Sequence, residues 1–266
     1  MNSLSTLSLS SFFSTGPFTW DTVTFFLGGM GLTCLLIIGA LSLGLVLGLA
    51  MASFQVYGPR WSGLLVSLYV WFFRGVPILV LMFLFYFGLA SQLESLIQSW
   101  LRSGLPAPLK SLLRFCFGAR GSVSPFACAV LVLGLCSAAY QSQIFRGAMK
   151  SIPSGQFMAA KALGMSSFQA VRVIILPQVL RISIPAWSNE YSILLKDSGI
   201  AFVIGTMETM ARFKAVASST YYYLSMYILA GLAYFVITWI GVRLLLALYD
   251  RVRVPGLAEV QSADIL

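Results

Sequence analysis

Apolar positions in this chain fall into long unbroken runs, and polar residues cluster between them. A helix needs about 20 consecutive apolar residues to cross a bilayer. Phe25 to Ala52 supplies one such run, dotted with glycines, and Gly44 and Gly48 stand at the GxxxG spacing that lets helix backbones approach. Trp61 to Phe73 is aromatic and apolar, is interrupted by Arg74-Gly75-Val76-Pro77, and resumes from Ile78 to Leu89. It reads either as one tilted helix broken near Arg74 or as an interfacial helix followed by a span. Pro125 to Ile144, Ala170 to Leu195 and Tyr222 to Tyr249 provide three more runs. The pattern predicts an all-α integral membrane protein with about five transmembrane helices.

The predicted membrane domain covers residues 24–250, between tails at 1–23 and 251–266. Residues 91–124 differ from the runs around them. Leu93, Leu96, Ile97, Trp100 and Leu101 give an amphipathic pattern that Pro106 and Pro108 break. This stretch reads as a loop carrying one or two interfacial helices.

Composition agrees with a membrane chain. Hydrophobic residues make up 59% and charged residues 9%, against about 25% charged in soluble domains. The net charge of +9 comes from 17 basic and 8 acidic residues. No basic cluster is large, so the charge speaks for topology and anionic lipid and against nucleic acid. The chain has no histidine, and Cys34, Cys116, Cys128 and Cys136 show no CxxC spacing. Neither a metal site nor histidine acid–base chemistry is supported, and no catalytic residue is expected. The first residues lack Lys and Arg, unlike a signal peptide with a basic start.

Basic residues concentrate at 146–172 and 250–253, so the positive-inside rule places the N-terminus outside and the C-terminus in the cytoplasm. The loop at 91–124 is then extracytoplasmic. It conflicts with the rule, since it holds Arg102, Lys110, Arg114 and Arg120 against Glu94.

The most informative stretch is residues 155–177, a short polar helix, a glycine turn and a new helix between two spans. Ala159, Ala160 and Ala162 keep the first helix slim, while Phe157, Met158 and Leu163 offer apolar contact, as in helix-in-groove recognition. Gly164 suits the left-handed residue that ends a helix, and Ser166 with Gln169 forms a capping box for the next. Met158-Ala159-Ala160, Gly164, Ile174, Leu176 and Pro177 resemble the cytoplasmic loop of binding-protein-dependent ABC importer permeases. That pattern is Glu-Ala-Ala, three residues, Gly, nine residues, then Ile-x-Leu-Pro. Met158 stands where the family has Glu, which leaves apolar docking as the expected contact.

Further stretches resemble the polar amino acid subfamily, whose members include histidine, glutamine and arginine permease subunits. They are Phe73-Arg74-Gly75-Val76-Pro77, the run Ala139 to Gly147 with Gln143 in place of a Glu, and Asn189-Glu190 with Lys196-Asp197-Ser198. The resemblance covers about residues 24–90 and 125–250. It implies a type I ABC importer-like fold, a bacterial inner-membrane location and a coupling helix at 155–165. Gln156, Phe157, Met158, Ala159, Ala160, Leu163 and Gly164 would dock the ATPase. It also implies as partners a cytosolic ABC ATPase dimer, a second permease subunit, identical or homologous, and an extracytoplasmic amino acid-binding protein. No cofactor is expected on this chain, which lacks a Walker A motif; ATP would be used by the partner.

The fourth span is unusually polar. On a helix, Asn189, Ser192 and Lys196 share one stripe, and Glu190 and Asp197 an adjacent one. Charged groups within a span usually face a cavity or a partner. Arg74, Asn189, Glu190 and Ser192 are therefore candidates for a substrate route, and Pro185 for a bend in it. A structural pairing of Glu190 competes with this reading. A scaffold or sensor that keeps the docking loop, or a permease for another small solute, are alternatives; a secondary transporter should show internal repeats, and none is seen.

Overall fold

The computed structural model describes residues 19–89, 106, 107, 111 and 124–252. Both tails, apart from their innermost residues, and nearly all of the 91–124 insert lie outside the described residues. The rest is helical, with no strand among the described residues. Helix α1 spans Trp20–Tyr57 and starts at Thr19, whose side chain accepts from Thr22 N. At 38 residues it is about 57 Å long, well beyond a hydrocarbon core of ~30 Å. A tight link at Gly58-Pro59 leads to α2, Arg60–Gly75. Ser62 Oγ donates to both Phe54 O (3.0 Å) and Pro59 O (2.7 Å), which pins the link.

Val76-Pro77 ends α2, since a residue before proline avoids helical geometry. Helix α3 follows, Ile78–Phe83, and widens into a π turn at Leu84–Leu89. The two pieces meet at 101°. The chain therefore breaks where Arg74-Gly75-Val76-Pro77 interrupts the apolar run. Four helices are long and apolar enough to cross a membrane, and the bent pair makes a fifth when counted as one broken span.

Helix α4, Pro125–Ser151, starts at Ser124, whose hydroxyl caps Ala127 N at 3.1 Å. The short α5 is Ser154–Ala162. Helix α6 runs Ser167–Ile204, through a π turn at Val171–Ile175, a long α-helical body Leu176–Ser198 and a tight last turn Gly199–Ile204. Helices α7, Thr209–Thr220, and α8, Tyr223–Val252, complete the described chain.

The core is built around the crossing of α1 and α4. A Cβ at Gly48 would lie 2.9 Å from Gln141 Cβ and 3.1 Å from Ser142 N, so only glycine permits this approach. Gly134 makes the reciprocal space for Leu43. The GxxxG spacing thus marks a real contact, of the kind that replaces hydrophobic drive inside a bilayer. Leu36, Ile37, Leu133, Leu194 and Leu195 fill the centre. A second cluster, with Phe145, Met149, Ile175 and Val179, sits under α5. A third joins Phe213, Val216, Met226 and Ala230 of α7 and α8. Outward-facing Leu35, Ile38, Val46, Leu64, Trp71, Phe235 and Trp239 are exposed, as expected of surfaces that meet lipid or another apolar chain.

Candidate functional site

The short helix α5 is held on its own scaffold from one side. Phe157 stacks on Tyr57 of α1, ring centroids 5.0 Å apart. Gln178 Nε2 of α6 donates to Gln156 Oε1 at 2.7 Å and to Ile174 O at 2.8 Å. Ala160 is buried. The opposite side is open: Met158 is 63% and Leu163 81% exposed, and Ala159 and Gly164 are exposed too.

The docking candidates therefore divide. Met158, Ala159, Leu163 and Gly164 form the free surface. Gln156 and Phe157 fasten the helix to α6 and α1, with the Phe157 ring half-buried against Tyr57, and Ala160 is buried beneath them. Its ring finds a better partner in Tyr57 than in water.

The local geometry around α5 follows the sequence closely. Gly164 has φ +82, in the left-handed region, and a side chain there would be strained. Ser166 Oγ accepts from Gln169 N at 3.2 Å, and Gln169 Oε1 accepts from Ser166 N at 2.8 Å, completing the capping box. Helix α6 thus begins after a link of only four residues, Leu163 to Ser166.

The polar span supplies a second zone. Glu190 is 3% exposed, and its Oε1 accepts from Ser137 Oγ of α4 at 2.7 Å. Ser137 Oγ in turn accepts from Gln141 Nε2 at 3.0 Å. Asn189 points the other way and is exposed, as is Lys196, while Ser192 is half-buried and donates to Ser188 O at 3.1 Å. Neighbouring Asn189 and Glu190 are thus not brought together: one faces the open side of α6, the other the packed side. Pro185 lies inside the helix and is exposed. Ser183, Ser188 and Ser192 each bond the carbonyl four residues back, a habit that bends helices. Arg74 is exposed at the end of α2, with its guanidinium 4.6 Å from the Tyr140 ring centroid.

A third node was not singled out in the sequence. Glu208 is fully buried ahead of α7 and accepts from Met210 N (2.7 Å), Ala211 N (2.8 Å) and Tyr234 Oη (2.7 Å). Burial pushes its carboxyl above the usual range, against these hydrogen bonds, which lower it. Thr33 and Thr209 share a hydroxyl contact at 2.8 Å, and Arg212 Nη1 donates to Phe25 O at 2.6 Å. Together they tie α7 to α1 and α8. A lone Glu before a helical pattern was the available signal, as an N-cap.

The described chain is a multi-span helical protein that projects a short, slim helix between two spans. The chain belongs to the family of binding-protein-dependent transport system inner membrane components, matched over residues 44–254. It is 31% identical over 227 residues to the octopine transport system permease protein OccM of Rhizobium radiobacter, covering 85% of each chain. It is 30% identical to the histidine/lysine/arginine/ornithine transport system permease protein HisM of Salmonella typhimurium, covering 88% of this chain and 91% of that one. Its fold resembles that of a chain in the crystal structure of an amino acid ABC transporter with histidines. The TM-score is 0.66 at 28% identity, over 87% of this chain and 96% of the other. The chain is therefore an integral inner-membrane permease component with a type I importer-like fold.

Proposed function

We propose that this chain is the transmembrane subunit of an ATP-driven importer of polar amino acids, working with a second permease subunit, a pair of cytosolic ATPases and an extracytoplasmic binding protein. The observation that carries the reading is α5: a helix open on one side at Met158, Ala159, Leu163 and Gly164 and fastened on the other to α1 and α6. Such a helix can receive a mechanical input and pass it on. ATP is bound and hydrolysed by the partner, and this chain supplies movement. The partner must hold one conformation more tightly than the other, because equal affinity would shift nothing.

Orientation follows from charge. Lys150 ends α4, Lys161 ends α5, Arg172 opens α6 and Arg251 ends α8. Val252 and Pro177 line one cavity, which puts the C-terminal end of α8 beside the start of α6. This cationic end is the cytoplasmic one by the positive-inside rule, with the N-terminal end of α1 outside.

Within the membrane, Glu190 and Asn189 are read as substrate-route residues, with Arg74 and Ser192 nearer the edge of that role. A zwitterionic amino acid carries both charges and matches a route that offers an acid and a base. The relatives named for octopine and for histidine, lysine, arginine and ornithine favour amino acids as cargo.

The decisive experiment is Gly164→Asp in the complete importer in lipid. A side chain at φ +82 strains the turn and a carboxylate enters the docking surface. Substrate-stimulated ATP hydrolysis should fall at least tenfold with membrane insertion unchanged. Full stimulation in that variant would refute the docking role of α5.

A further inference from the structure

Three helices meet at one buried hydrogen-bond chain. Gln141 of α4, fully buried, donates from Nε2 to Leu41 O of α1 at 3.2 Å and to Ser137 Oγ at 3.0 Å. Ser137 donates to Glu190 Oε1 of α6 at 2.7 Å. The chain has a fixed direction. Ser137 has a single hydroxyl hydrogen, and because the Gln141 amide occupies a lone pair, that hydrogen goes to Glu190.

The arrangement is costly. Gln141 Oε1 is buried without a partner, and buried acceptors left unpaired are penalised. A core built for packing alone would carry Leu or Met here. Space is also reserved for the chain: a Cβ at Gly44 would run into Gln141 Nε2 and lie 3.0 Å from Ser137 Oγ. A bulkier residue at 44 would push the amide off its track.

We propose that Ser137 and Gln141 are positioning residues of the transport route: they hold the Glu190 carboxylate in one orientation toward the cationic group of the amino acid and lock that orientation to the α1–α4 crossing. The proposal rests on the reading of Glu190 as a route residue. Ser137 engages Glu190 Oε1 and leaves Oε2 unbound by α4, so cargo would meet Oε2 when the route opens to this buried carboxyl. Without Ser137 the buried carboxylate loses the contact that distinguishes its two oxygens, and with it that selection.

The test uses the complete importer in proteoliposomes, with the amino acid taken up fastest among histidine, arginine, glutamine and neutral controls. Ser137→Ala should raise KM for uptake at least fivefold with the maximal rate within twofold of the parent. Ser137→Thr, which keeps the hydroxyl, should restore KM to within twofold. Gly44→Ala should raise KM in the same direction, since it displaces the Gln141 amide that holds the Ser137 hydroxyl. In a Glu190→Ala background, Ser137→Ala should add nothing, because its partner is gone.

The two failures separate cleanly. If Glu190→Gln and Glu190→Ala leave uptake unchanged, the route reading itself falls. If they alter uptake while Ser137→Ala leaves KM unchanged, or raises it by the same factor with and without Glu190, the positioning role is overturned. Should the Glu190→Ala importer not assemble, the Ser137→Ala and Ser137→Thr pair decides alone: equal KM values for both overturn the role.

Discussion

Glu208 shows what one residue holds in this molecule. Its two oxygens serve two backbone N–H groups of the first turn of α7 and the Tyr234 hydroxyl of α8. Removing the carboxylate loses an N-cap and strands a half-buried phenol, so Glu208→Ala should cost roughly 2–4 kcal/mol. Thermal unfolding of the detergent-solubilised permease would read this as a lower midpoint, with Tyr234→Phe losing only part of it. Equal midpoints for parent and Glu208→Ala would remove Glu208 from the structural account.

The sequence carried little of this node, because its partner Tyr234 lies in the next span and no local spacing connects them. Ser137 was equally hidden: in an apolar run a serine reads as one more small residue. Glu190, by contrast, stood out from sequence alone, since a carboxylate inside a span demands an explanation.

At the scale of the element, α5 was legible to within a few residues. Its start, its glycine turn and the capping box behind it all depend on near neighbours in the chain. Which of its sides would be free was not legible, since that depends on Tyr57 and Gln178, which approach from distant helices. The bend after Gly75 was legible as an interruption, while its size of 101° was not.

The fastening of α5 makes a prediction of its own. Phe157→Ala removes the stack on Tyr57 and leaves the outer surface at Met158 and Leu163 intact. The ATPase should still bind, as co-purification would show, while substrate-stimulated hydrolysis falls several-fold. Loss of binding together with stimulation would mean that Phe157 belongs to the docking surface after all.

The whole molecule is a crossing of two helices with other elements hung on it. Long apolar runs made the class of architecture readable, and the GxxxG spacing pointed to the contact at its centre. Its arrangement in the membrane is open to direct measurement. In a chain whose native cysteines are replaced, a cysteine at Lys161 should react with an impermeant thiol reagent only from the cytoplasmic side. One at Thr19 should react only from outside. Labelling of both from the same side would overturn the orientation. Labelling of the Lys161 position from outside would also move α5 away from any cytosolic partner.

The π turn at Val171–Ile175 sets the phase of everything after it. Each residue of an α-helix advances the azimuth by about 100°, and a π turn inserts one residue more than the regular winding needs. The azimuth at which Glu190 leaves α6 is therefore fixed many residues upstream, within the first turns after α5. Deleting the exposed Leu180 from the regular winding beyond that turn, where no surplus residue is absorbed, should swing the carboxylate about 100° away from Ser137. Uptake should then be lost in an importer that still assembles and still hydrolyses ATP. Such a helix is a keyed shaft: the angle at which it is gripped at one end is the angle at which it presents its charge at the other.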